Sequence, residues 1–94
     1  MVEQDPTNSF ARYGLAMEYA KGSDPSLAVA EFHALLKDDP DYVAAYFHGG
    51  QTLEKLGRIE DAKEMYERGI EAATRKGDAH TRAEIEAALN LLPI

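Results

Sequence analysis

The stretch Asp39-Pro40-Asp41-Tyr42 decides the reading of this chain, because its Asp-Pro stands 34 residues after Asp5-Pro6. A break that recurs at such an interval marks a repeat architecture. Sliding the sequence by that offset lays Ala45 on Ala11, Phe47 on Tyr13, Ala62 on Ala28 and Tyr66 on Phe32. Aromatics fall on aromatics and small residues on small ones, so the interval carries packing information as well as punctuation.

Outward from that mark the segments read as helices. Residues 8–22 carry Ala11, Leu15, Ala16 and Tyr19 at helical spacing, with Thr7 or Asn8 as N-cap and Lys21-Gly22 as the stop. Asp24-Pro25 restarts the chain as an N-cap followed by proline at the first helical position. The second helix, 25–38, places Ala28, Val29, Phe32, Leu35 and Leu36 on one stripe, and Pro40 forbids its continuation. Asp41 is expected to cap a third helix over 42–57, carrying Ala45, Tyr46, Gly49, Leu53 and Leu56 and ending at Gly57. A fourth, 59–76, carries Ile59, Ala62, Tyr66, Gly69, Ile70 and Ala73. Its charged face offers the four-residue pairs Lys63/Glu67, Glu64/Arg68 and Glu71/Arg75. A fifth, 79–92, carries Ile85, Ala88, Leu89 and Leu92 and stops at Pro93. No segment alternates as a strand does, and turns of a few residues force consecutive helices antiparallel. The fold class is therefore all-α, in helix-turn-helix units within a single domain over residues 1–94.

Composition narrows the function. The 94 residues are 45% hydrophobic and 29% charged, which suits a folded chain and not a wholly disordered one. There is no cysteine, hence no disulfide, thiolate ligand or cysteine nucleophile. Ten basic against seventeen acidic residues give a net charge of −7, which argues against nucleic acid or an anionic membrane as partner and suits a cationic partner or a salty cytoplasm alike. The start, Met-Val-Glu-Gln-Asp-Pro, lacks a basic n-region and an apolar h-region, so a cytoplasmic location is expected.

The marker residues resemble the tetratricopeptide repeat. Its pattern of aromatic, Leu-Gly, Tyr, Ala, aromatic and Pro is matched in the first repeat by Leu15-Ala16, Tyr19, Ala28, Phe32 and Pro40, with Arg12 in the leading Trp place. In the second repeat Tyr46 leads, followed by Gly50, Leu53, Ala62 and Tyr66. Gly49 stands where Leu is usual, and Ala73-Thr74 replaces the closing Asp-Pro, which implies a fourth helix that runs on for a turn. The stretches Arg12-Tyr13-Gly14-Leu15-Ala16-Met17-Glu18-Tyr19 and Leu56-Gly57-Arg58 are similar to small stand-alone bacterial proteins of this family. The resemblance implies a short right-handed solenoid: repeat 1 over 7–40, repeat 2 over 41–76, and a capping helix over 78–92. In such an array one hairpin cannot bury its apolar face alone. Small residues at Ala16, Ala28, Gly50 and Ala62 are expected to let helices approach. Tyr19, Phe32, Leu53 and Tyr66 are expected to fill the gaps, Leu15 and Tyr46 to pack within the repeats, and Pro40 to close the first repeat. The last helix reads as a solvating cap, or as a face on which Leu91, Leu92 and Ile94 dock a second copy or a missing neighbour.

Chemistry finds little purchase. His33, His48 and His80 are the general-base candidates at neutral pH. Only His80 has a carboxylate four residues on, Glu84, and two ligands make a weak metal site. Ser9, Ser23 and Ser26 lie in no nucleophile motif, and Gly49-Gly50 is followed by no Lys-Ser or Lys-Thr. The expectation is no enzyme, no cofactor and no metal.

What the resemblance implies instead is a binding groove on the first helix of each hairpin. Its residues would be Phe10, Tyr13, Met17 and Lys21 from repeat 1, and Phe47, His48, Gln51, Glu54 and Lys55 from repeat 2. Phe10, Tyr13, Met17 and Phe47 lie off the stripe that the repeat itself needs to bury, so they read either as a contact surface for a peptide or as filling of a short, tightly curved array. Tyr13, Met17 and His48 hold the places where one subgroup of the family uses Lys and Asn to clamp a peptide C-terminus, so no such clamp is expected. The function implied is a protein or peptide interaction module. A self-associating structural protein and an accessory domain of a longer protein remain as alternatives.

Overall fold

The computed structural model describes residues 8–93, and over them the apolar stripes become five helices: α1 (Ser9–Lys21), α2 (Pro25–Asp38), α3 (Val43–Lys55), α4 (Ile59–Lys76) and α5 (Ala79–Asn90). Thr7, Asp5-Pro6 and Ile94 lie outside the described residues.

The starts are set by side chains that satisfy helix-end N–H groups. Asn8 Oδ1 accepts from Ala11 N at 3.0 Å, Asp24 Oδ1 from Leu27 N at 3.2 Å, and Asp78 Oδ1 from Thr81 N at 3.1 Å. The third start departs from expectation. Tyr42 occupies the N-cap position of α3 without a side-chain cap bond. Asp41 instead accepts from Arg75 Nε at 2.9 Å, because the end of α4 passes close to the α2–α3 turn. Arg75 thus pairs with Asp41 while the charge of its i,i+4 neighbour Glu71 still acts on it. Two helix ends use left-handed glycine: Gly57 (φ 76°) follows α3, and Gly77 (φ 69°) ends α4. α3 closes at Lys55 and α5 at Asn90, each two residues short of the expected bounds. At 18 residues α4 is about a turn longer than the 14-residue α2. No Asp-Pro interrupts it.

The packing order follows the turns. α1 packs chiefly on α2 and α3 on α4, α2 meets α3 between hairpins, and α5 lies mainly on α4. The result is a slab of 39 × 31 × 17 Å. Tyr46, Tyr66, Phe32, Leu35, Leu53, Met65 and Ile85 are its largest fully buried side chains. Each is worth about 1.5–3 kcal/mol of apolar burial. The two tyrosine hydroxyls reach partners at the core edge: Tyr46 donates to Pro40 O at 2.6 Å and Tyr66 to Glu54 Oε2 at 2.5 Å. Ala16, Ala28 and Ala62 are completely buried, and Gly50 lies beneath the Tyr66 ring. Leu15 and Tyr19 are only half-buried. Pro40 is exposed: it takes part through its carbonyl, which Tyr46 and Arg75 both use, and not through its ring.

Candidate site: a cleft between α1 and α3

Because α2 turns the chain back on itself, α1 and α3 run parallel and side by side. Their C-terminal ends are tied by Lys55 Nζ, which donates to Ala20 O at 3.1 Å. Between them opens a cleft of about 610 Å³. From α1 it is lined by Met17, Ala20 and Lys21; from α3 by His48, Gln51, Thr52, Glu54 and Lys55. Successive lining positions are one helical turn apart, which is why residues scattered in sequence share one wall.

Most of the expected groove residues therefore meet here: Met17, Lys21, His48, Gln51, Glu54 and Lys55. Tyr13 and Phe47 do not line the cleft. They are half-buried against the core and flank His48, with ring centroids 5.9 and 5.2 Å from the imidazole. Like Met17, they pack in part against the core, which fits the reading of them as filling of the array. Tyr13 also packs on Tyr42 at 5.2 Å and on Phe32 at 6.4 Å. Phe10 stands apart, 77% exposed in the first turn of α1. Three residues were given no role in the sequence reading: Ala20 and Thr52 in the lining, and Tyr42 in the flanking aromatic cluster. Ala20 and Thr52 fall one turn after Met17 and His48, so helical spacing could have found them. Tyr42 lies before α3 begins, and only the tertiary fold brings it to Tyr13.

The electrostatics are mild. Burial pushes the His48 pKa below its usual value, with the nearby Lys21 acting the same way and Gln51 and Glu84 opposing. The ring is thus neutral at physiological pH, a donor and an acceptor at once. Glu54 is engaged by the Tyr66 hydroxyl, and burial together with that carboxylate raises the Tyr66 pKa. The exposed amide of Gln51 shares a hydrogen bond with the His48 imidazole and keeps further donor and acceptor capacity for an extended peptide backbone. Among the described residues no group of three or more His, Asp or Glu is placed to hold a metal ion. No helix among them is long and apolar enough to cross a membrane.

A family model described as tetratricopeptide repeat matches residues 19–85. The chain belongs to the tetratricopeptide repeat family. A tetratricopeptide repeat domain protein of Salinibacter ruber, solved in solution, has a similar structure, with a TM-score of 0.85 at 41% identity over 92% of this chain and 87% of that one. A protein of Bordetella parapertussis, also solved in solution, gives 0.82 at 30% identity over 96% and 78%. A TPR repeat-containing protein of Pseudomonas aeruginosa is 25% identical over 98% of this chain and 88% of its own length. The stacked hairpins are thus an all-α repeat solenoid of bacterial type. Tetratricopeptide repeat folds are as a rule protein–protein interaction modules and not catalysts.

Proposed function

We propose that this tetratricopeptide repeat protein binds a peptide segment of a partner protein in the α1–α3 cleft. The cleft itself supports the reading: about 610 Å³ with Ala20 and Thr52 at its floor, Met17 on one wall, and His48 and Gln51 on the other. An apolar side chain would rest on Met17 and Ala20, and its backbone would bond to Gln51 and the neutral imidazole. Glu54 and Lys55 shape the far end but are already engaged, by Tyr66 and Ala20. The test is selection of peptides from a random display library, followed by NMR titration of the labelled protein. Shifts centred on Met17, His48 and Gln51, lost in a folded Met17→Glu/Gln51→Glu variant, are the expected result. Selected peptides that bind the variant equally well would refute it.

A second reading, association between copies, draws on Phe10 and Leu91, which are 77% and 83% exposed near the two ends of the array. It expects melting to depend on protein concentration and Leu91→Ser to abolish that dependence. A melt that is the same at every concentration excludes it.

A further inference from the structure

The two ends of the α1–α3 face differ in what they leave unused. At the C-terminal end stand Lys21 and Lys55, which would suggest an anion. Each, however, sits in the last turn of its helix, where a cation offsets the negative end of the helix dipole. Lys55 also spends its ammonium on the Ala20 carbonyl.

The N-terminal end is the reverse. Tyr13 and Tyr42 stack at 5.2 Å with rings tilted by 38°, both only half-buried, and exposed Phe10 lies one turn before Tyr13. His48 joins this patch to the cleft. The carboxylate of Asp39, in the turn just before, is close enough for its charge to be felt at the Tyr42 hydroxyl. Asp38 is exposed beside it. Aromatic faces carry negative potential and attract cations, most of all guanidinium groups. The chain as a whole carries −7, which draws basic partners towards it and turns acidic ones away.

We infer that the partner segment is basic, and that an arginine side chain of it stacks on the Tyr13–Tyr42 patch beside Asp39 while the segment runs on into the cleft. The inference rests on the groove reading above and adds the charge and the direction of the occupant. The patch and the Lys21 end are about 12 Å apart along α1. A seat between Met17 and Ala20 is only about 8 Å from Tyr13 along the same helix, the reach of two or three extended residues, so the arginine would stand that far from an apolar residue seated there.

Three synthetic peptides of one length test it, with Arg, Glu or Gln placed three positions from a Leu in a Gly-Ser background. Binding is followed by NMR titration at low and high salt. The Arg peptide is expected to shift Tyr13, Tyr42 and His48 amides and to bind about tenfold tighter than the Glu peptide, a gap that salt narrows. Asp39→Asn and Tyr13→Leu are expected to erase most of that preference, with Tyr13→Phe restoring it, while circular dichroism shows each variant folded. An Arg peptide that binds no better than the Glu peptide, or shifts only residues near Lys21 and Lys55, overturns the inference, as does a preference untouched in folded Asp39→Asn and Tyr13→Leu. If the Gln or Glu peptide occupies the cleft as well as the Arg peptide does, the groove reading survives and only the charge assignment falls. If the Arg peptide and the display-selected peptides both leave the α1–α3 residues unmoved, both readings fall.

Discussion

Single glycines show most sharply how this fold depends on close approach. A Cβ on Gly50 would lie 2.6 Å from Tyr66 Cδ1, and the Tyr66 ring is fully buried with its hydroxyl held by Glu54. The ring has nowhere to go. Gly50→Ala should therefore lose stability by about 1–3 kcal/mol despite the better helix propensity of alanine. Gly69 meets the Tyr46 Cβ at the same 2.6 Å and shares the constraint. Gly49 is different: its new methyl would meet the Met65 Cε at 3.3 Å, the far end of a flexible thioether. Nothing along its own helix accounts for Gly49, and Met65 supplies a reason of a soft kind. Gly14 faces open space on α1, and Gly14→Ala should stabilise by about 0.5–1 kcal/mol. Thermal melts of the three alanine variants check the order: Gly50 well below wild type, Gly49 near it, Gly14 above. A Gly50→Ala protein as stable as the parent would contradict the packing described.

At the scale of elements, α5 is held by one deep residue and one cap. Ile85 is fully buried, with its Cδ1 at the Gly69 position of α4, whereas the neighbouring Leu91 is 83% exposed. Ile85→Ala should cost about 2–4 kcal/mol and loosen α5 as a unit, while Leu91→Ala should change the monomer little. Amide exchange along 79–90 distinguishes a helix that opens by itself from a global loss. The Asp78 cap makes the start of α5 sensitive to acid. Its hydrogen bonds from Thr81 hold the carboxylate below its ordinary 3.8, so its stabilisation is complete above that value and fades as pH falls through the lowered one. Asp78→Asn should remove this acid-dependent part and keep most of the cap, which a pH series of melts reads directly.

For the whole molecule, two long-range effects set the response to solvent. A net charge of −7 repels itself, and salt screens that repulsion, so added sodium chloride should raise the melting temperature modestly. No change, or a fall, would mean that local ion pairs such as Arg75–Asp41 outweigh the overall repulsion. His48 adds a pH term of fixed sign. Its folded pKa lies below the usual 6.5, chiefly through burial, so the unfolded chain takes up the proton first. Stability is full above about 6.5 and declines as pH drops below it towards the lowered value. His48→Gln should flatten that decline, and comparing the two proteins by melts near pH 5 and pH 7 tests it. A wild-type curve that is already flat there would remove His48 from the account.

Much of the architecture was legible because it rests on local chemistry. The 34-residue recurrence of Asp-Pro, the stops at Gly22, Pro40, Gly57 and Gly77, and the apolar stripes are properties of short segments, so helix number, order and approximate bounds follow from the chain alone. What it could not decide are matters of contact between segments. Asp41 was read as a cap because caps are local, but an arginine 34 residues away claims it. Tyr13 lies off the apolar stripe of its own helix, but Phe32, Tyr42 and His48 half-cover it. Lys55 was read as a groove cation, yet the C-terminal end of α1 lies within its reach. In each case the side chain's choice depends on which distant group the packing brings within a few ångströms. Periodicity along one helix carries no such information; only the stacking of the hairpins supplies it.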